Sequence, residues 1–258
     1  MTIKMIVTDL DRTLLHSDKT VSDYTARILL ACQQQGIMVV FATARSENAC
    51  KRFTSMIKPD AMISNGGAFV CVGNEIVYRA TMDMEITNKL LLSCLKQPSV
   101  GYIAVDAENG YFVNKPVDES SPTWADYLPA QVVDLSHGLS CAVYKISAEI
   151  SAAKAAYEIA AEFPALDMVT WTGENWVCFS DKTASKWRGL KALAGHTGID
   201  TAHIATFGDD YIDIEMLRES GVGVAVANAI DEVKVVADYT CDTNDNDGVA
   251  RWLEENVL

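Results

Sequence analysis

Two acids, Asp9 and Asp11, follow directly on an apolar run in MIVTDLDRTLL, and three more, Asp209, Asp210 and Asp213, follow another in HIATFGDDYID. Side chains two apart on an extended strand point the same way, so Asp9 and Asp11 are expected to face one small volume. Carboxylates gathered there repel unless a cation, a proton or strong donors lie between them. Oxygen ligands of this kind suit a hard cation such as Mg²⁺. A carboxylate is also a competent nucleophile towards phosphorus. Other chemistries find less support. The four His residues are isolated, with no HExxH, and the seven Cys residues form no CxxC pair, so neither a zinc site nor a redox dithiol is indicated.

The elements that must position these acids can be read from the apolar pattern. Ile3 to Thr8 reads as a short buried strand, Ser22 to Gln35 as a helix, and IMVVFATAR as a fully buried parallel strand. A helix over Ser46 to Ile57, the strand AMIS and a hairpin turning at Gly73-Asn74 follow. Later, HIATFGDD reads as a strand, YIDIEMLRES as a helix, GVGVAVA as a strand, DEVKVVA as a helix, YTC as a strand and DGVARWLEEN as a last helix. This alternation predicts an α/β fold with a doubly wound parallel sheet, whose ligand crevice lies at the carboxyl ends of the strands. Four such ends are polar: Asp9 with Asp11, Thr43 with Arg45, Ser64 with Asn65-Gly66-Gly67, and Asp209 with Asp213. Between the two series, strands GYIAV, GYFVN, CAVYKIS, DMVTW and WVCFS, with helices near Met84 to Lys96 and Ala152 to Glu162, read as an inserted α+β unit. Its aromatic residues Trp124, Tyr127, Trp171 and Trp176 are core or pocket, with core as the default.

The chain has 258 residues, 49% hydrophobic, with a net charge of -14. That charge argues against a nucleic-acid backbone as partner, but not against a small phosphorylated metabolite bound by local groups. There is no signal-peptide pattern and no stretch of membrane-spanning length, which with the cysteine usage predicts a cytoplasmic protein. Nothing in the sequence fixes an oligomeric state.

Seven motifs in order resemble those of the haloacid dehalogenase superfamily, in its Cof-type sugar-phosphatase-like branch. DLDRTL is similar to its DxDGTL, ATAR to its ATGR, SNGG to its NG segment, SKWRGLKAL to its KGxAL, and GDDYIDIEML to its GDxxNDxxML, with VAVANA and NDGVA as closing motifs. The resemblance implies a Rossmann-like core over residues 1–82 and 183–258, with an α+β cap over 83–182. It implies Mg²⁺-dependent hydrolysis of small phosphate monoesters, with sugar phosphates foremost, through an aspartyl-phosphate on Asp9. Asp11 would protonate the leaving oxygen and then activate water, and a neighbouring carboxylate with partial burial would favour the proton it needs. Mg²⁺ would be held by Asp9, the backbone carbonyl of Asp11, and Asp209, with Asp213, Asp210 and Asn228 close behind them. Thr43, Ala44, Asn65 and Lys186 would bind the phosphoryl group, Lys186 being preferred to Lys182 and Lys191. The alternatives are a phosphomannomutase-like phosphotransferase and a non-catalytic phosphometabolite-binding protein. Four positions depart from the pattern: Arg12 and Ala44 stand where the family usually has Gly, Ile212 replaces Asn, and Trp187 replaces Gly and is expected to line or crowd the site.

Overall fold

The fold is described from a computed structural model that describes residues 2–121, 124–127, 129–170 and 175–258. The chain opens with β1 (Met5–Thr8), α1 (Asp23–Gln34), β2 (Met38–Ala42), α2 (Lys51–Met56), β3 (Ala61–Ser64), β4 (Phe69–Val72) and β5 (Glu75–Arg79). The middle carries α3 (Met84–Lys96), β6 (Val100–Ala107), β7 (Gly110–Val113), β8 (Gln131–Val132), β9 (Val143–Ile150), α4 (Ala153–Glu162), β10 (Leu166–Thr170) and β11 (Trp176–Asp181). The last part adds α5 (Lys186–Thr197), β12 (Ile204–Gly208), α6 (Ile214–Glu219), β13 (Val222–Val226), α7 (Asp231–Val236), β14 (Tyr239–Cys241) and α8 (Gly248–Asn256). The elements fall into two compact units, one of Met1–Arg79 with Ser185–Leu258, the other of Ala80–Ala184.

The first unit is an eight-stranded sheet in the order β14-β13-β12-β1-β2-β3-β4-β5. From β14 to β3 all pairings are parallel; β4 and β5 close the edge antiparallel. The Met5–Thr8 strand is buried throughout because it is central and paired on both sides, which accounts for its unbroken apolar run. From β1 the chain winds one way through β2 and β3, and later the other way from β12 through β13 and β14. The reversal lies between β1 and β12, where open α/β sheets form their crevice. Helices are fixed by side-chain caps: Ser22 accepts from Thr25 N–H at the start of α1, and Ser185 from Arg188 N–H at the start of α5.

The second unit is a six-stranded sheet in the order β10-β11-β9-β6-β7-β8, antiparallel except for β7 with β8. One face packs α3 and α4 through Leu90, Leu91, Cys94 and Ile159 against Ile103, Val105, Ile146 and Phe179. A smaller cluster joins Ala104, Tyr111, Val113 and Trp124, with Tyr127 and Trp176 packed on it. Trp124 meets Trp176 edge-on with centroids 5.7 Å apart, and Tyr127 stacks on Tyr111 at 5.3 Å. Trp124, Tyr127 and Trp176 therefore belong to a core, while Trp171 lies outside the described residues.

Two helices expected as single pieces are broken. Ser46 to Ile57 contains a 3-10 turn at Asn48–Cys50 before α2, and YIDIEMLRES begins with a 3-10 turn at Tyr211–Asp213 before α6. In the second case Asp210 and Asp213 bond reciprocally around the start, and this local capping sets a tighter first turn. Trp187, expected to line or crowd the site, is buried among the apolar residues of the first unit. Among the described residues no helix is long and apolar enough to cross a membrane.

Candidate active site

The four polar strand ends are the carboxyl ends of β1, β2, β3 and β12, which are adjacent in the sheet. At their meeting point lies a buried ammonium. Lys186 Nζ donates to Asp9 Oδ1 and to Asp213 Oδ1, each at 2.6 Å, and its side chain is wholly inaccessible. Of its rivals, Lys182 is exposed and Lys191 lies over the Trp187 ring. The first turn of α5 brings Lys186 in, and Gly67 allows it: a Cβ there would stand 2.0 Å from the Ser185 carbonyl oxygen. The Asn65-Gly66-Gly67 turn thus packs backbone to backbone on the start of α5.

One carboxylate oxygen each from Asp9, Asp209 and Asp213 lies within 4.8 Å of the others, all three residues being buried. Asp213 is fully engaged: Oδ1 accepts from Lys186, and Oδ2 from the N–H groups of Asp209 and Asp210 at 3.1 and 3.2 Å. Gly208 makes room for it, since a Cβ there would meet the Asp213 side chain at 2.4 Å. Asp209 Oδ1 accepts from the Thr13 hydroxyl at 2.9 Å, and Arg12 Nε stands 3.8 Å from Oδ2. Burial pushes the Asp9 carboxyl well above its ordinary range, Lys186 opposes this, and Asp213, Asp209 and Asp11 add to it. Burial and the Asp213 charge push Asp209 up to about 7, against the pull of Thr13, Lys186 and Arg12. Carboxyls raised by desolvation and mutual repulsion are a donor set short of positive charge. Their hard oxygens fit a hard divalent cation.

Asp11 departs from the strand-alternation expectation. β1 stops at Thr8 and the chain enters an irregular turn at Leu10–Leu14, and the Asp11 charge still reaches Asp9. The Asp11 carboxylate turns to Arg45, with Nε to Oδ2 at 2.6 Å and Nη2 to Oδ1 at 2.9 Å, and to Lys19 Nζ at 2.6 Å. Burial pushes this carboxyl up, but the bonds and charges of Arg45 and Lys19 outweigh it and hold it at about 2. The expected neighbour-raised proton on Asp11 is therefore corrected: its nearest partners are cations.

The remaining residues occupy the loops around this centre. Thr43 is buried, its hydroxyl oxygen accepting from Arg45 N–H at 3.1 Å and its carbonyl from Gly66 N–H at 2.9 Å. Ala44 follows it, half-buried. Asn65 is buried with its Oδ1 unpartnered, which leaves one polar atom for a ligand. Asp210 caps the Tyr211 turn through a 2.8 Å bond to Tyr211 N–H. Asn228 Nδ2 donates to the Arg12 carbonyl at 2.7 Å, and its Oδ1 accepts from Asn244 N–H at 2.9 Å. Thr13, Lys19 and the Arg45–Asp11 pair escaped the sequence reading. Arg45 was visible as a polar strand end, but its partner was not.

Residues 6–253 match the family described as haloacid dehalogenase-like hydrolase. The chain belongs to that family. Its relatives include four proteins named 5-amino-6-(5-phospho-D-ribitylamino)uracil phosphatase. YitU of Bacillus subtilis is 27% identical over 97% of this chain and 96% of its own length. YbjI of Escherichia coli is 27% identical over 99% of this chain and 96% of its own length. A solved haloacid dehalogenase-like hydrolase from Bacteroides thetaiotaomicron shares the fold with a TM-score of 0.87 at 23% identity, covering 98% of this chain and 99% of that one.

Proposed function

We propose that this hydrolase is a Mg²⁺-dependent phosphatase that cleaves small phosphate monoesters, with phosphorylated sugars and polyols as the substrate class. The observation that carries this reading is the buried Asp9–Lys186 pair beside Asp209, at the reversal point of the parallel sheet. Lys186 supplies the fixed cation that a transferring phosphoryl group needs, and phosphoryl transfer depends mainly on such positioning and charge. The relatives named for a 5-phospho-ribityl substrate support a phosphorylated polyol chain.

Asp9 attacks phosphorus in line. An Asp9 O–P bond forms, the ester P–O bond breaks, and the leaving oxygen takes a proton from Asp11. Water then attacks the aspartyl-phosphate, Asp11 takes its proton, and inorganic phosphate leaves with Asp9 restored. Mg²⁺, held by Asp9, the Asp11 carbonyl and Asp209, would neutralise phosphoryl oxygen charge. Thr43, Ala44, Asn65 and Lys186 hold the phosphoryl group. The resting Asp11, ionised against Arg45, suits the second step as it stands. The first step requires that pair to open so that Asp11 can carry a proton. The inserted unit, residues 83–182, selects among leaving groups.

The test is phosphate release from a panel of sugar, polyol and aryl phosphates with Mg²⁺ and with chelator, for the parent and Asp9→Asn. Release that needs Mg²⁺ and falls at least about 10³-fold in Asp9→Asn is the expected result. An isomerised phosphate ester without net release would mark a phosphotransferase instead. Binding of esters with no turnover at all would mark a binding protein.

A further inference from the structure

Arg12 sits in the left-handed region, at φ 61 and ψ 6. A side chain there is strained, and glycine would be free of that cost. The strain is held by neighbours: Asn228 Nδ2 donates to the Arg12 carbonyl at 2.7 Å, and Asn244 N–H in turn fixes Asn228. The result is a side chain 61% exposed at the rim of the site, with Nε 3.8 Å from Asp209 Oδ2. Strain held in place beside reacting groups calls for a role that the side chain fills.

The charge balance supplies one. The carboxylates of Asp9, Asp11, Asp209 and Asp213 are met by Lys186, which pairs with Asp9 and Asp213, and by Arg45 and Lys19, which pair with Asp11. Without Arg12, four acids face three cations and the deficit falls at Asp209. With Arg12 each of these four carboxyls has a cation within 4 Å, its own or a shared one. We propose that Arg12 is a fixed counter-cation of the Asp209 carboxylate that holds down the affinity of the site for Mg²⁺ and so makes occupancy responsive to the Mg²⁺ concentration. This rests on the reading of Asp9 and Asp209 as metal ligands. Because the side chain is exposed, the effect is that of a surface ion pair, a change of about two- to fivefold in Kd. It shrinks as salt screens the pair.

The test measures Mg²⁺ binding alone, by titration calorimetry on the metal-free chain, in Arg12→Gly, Arg12→Asn and Arg12→Lys. Gly and Asn accept the left-handed backbone and remove the charge; Lys keeps the charge and the strain. Tighter Mg²⁺ binding in Arg12→Gly and Arg12→Asn, with Arg12→Lys close to the parent and the differences smaller at 0.5 M than at about 0.05 M salt, is the expected result. Equal affinity in all four chains, or the same tightening in Arg12→Lys, overturns the proposal alone. If the parent shows no saturable Mg²⁺ binding, or Asp209→Asn binds as tightly as the parent, the metal reading falls and the proposal with it.

Discussion

Arg45 grips Asp11 with two hydrogen bonds, Nε to Oδ2 at 2.6 Å and Nη2 to Oδ1 at 2.9 Å. A bidentate guanidinium stabilises the ionised carboxylate strongly and fixes its plane. Removing it leaves burial, which acts upward, opposed by Lys19. Arg45→Gln should therefore raise the Asp11 pKa from about 2 towards or above the ordinary 3.8, read from the pH dependence of the Asp11 carboxyl carbon resonance. The sign carries over to stability. A lowered carboxyl contributes stability above its unfolded pKa and loses it as pH falls through the folded one. The gap between parent and variant should close between about pH 4 and pH 2. An Asp11 titration unmoved by the substitution would show that Arg45 is not the controlling partner.

Lys186 is the only cation within hydrogen-bonding distance of Asp9 among the described contacts, and it serves Asp213 at the same 2.6 Å. Lys186→Met leaves two buried carboxylates without it. Losing one partner of a buried pair costs about 3–5 kcal/mol, because the remaining charge stays desolvated. Urea unfolding should show that loss in the single variant. Lys186→Met with Asp213→Asn should recover part of it by removing one of the stranded charges, while phosphate release stays absent in both. A single variant within about 1 kcal/mol of the parent would mean that the pair adds little to the fold.

The contrast between Lys186 and Asp11 shows what the sequence made legible. Acids at the ends of apolar runs marked the strand ends, because parallel strands buried on both faces leave little other room for charge. The sheet then brings those ends together by the winding rule, which needs no side-chain detail. Pairing across 177 residues, as between Asp9 and Lys186, is set by how α5 lies on the Asn65-Gly66-Gly67 turn, and only the motif hinted at it. Asp11 was misjudged for a different reason. The proton expected on Asp11 is displaced by Arg45 and Lys19, cations that other turns bring to its carboxylate and that strand alternation does not describe. Arg12 could be noted as standing in a glycine's place, but its left-handed φ and its distance to Asp209 belong to the folded chain.

Metal and pH should act on stability together. Asp209 is pushed up to about 7 by burial and by Asp213, against an ordinary value of 3.8. A raised carboxyl binds its proton more tightly in the folded state, so its contribution is complete below about pH 4 and is lost as pH rises towards 7. Asp9 shifts in the same direction. Mg²⁺ binds the ionised form, so the melting-temperature gap between Mg²⁺ and chelator should be small at pH 5 and widen up to about pH 8. Calorimetric melts at four or five pH values check this. A gap independent of pH would place the bound cation away from Asp9 and Asp209.

The inserted unit carries polar groups beside its smaller apolar cluster. On the sheet face away from α3 and α4, Asp106 pairs across the ladder with Lys145, Ser180 lies opposite Lys145, and Ser147 lies opposite Cys178. Lys145 and Asp106 are buried, 3.3 Å apart, and burial of the ammonium is outweighed by the Asp106 charge, which keeps it protonated. A buried pair of this kind adds little net stability. Ser147 and Ser180 are half-buried beside it and can be truncated without stranding a charge. Ser147→Ala and Ser180→Ala should change the ranking of sugar and polyol phosphates by about five- to tenfold in kcat/KM, the scale of one lost hydrogen bond. Turnover of p-nitrophenyl phosphate, which offers no hydroxyls to read, should change less than about twofold. Asp9→Asn and Lys186→Met should instead lose every substrate alike, because they act on the phosphoryl group common to all. Side-by-side substrate profiles decide the matter: if the serine variants lost all esters equally, aryl phosphate included, the inserted unit would not be the element that selects the leaving group.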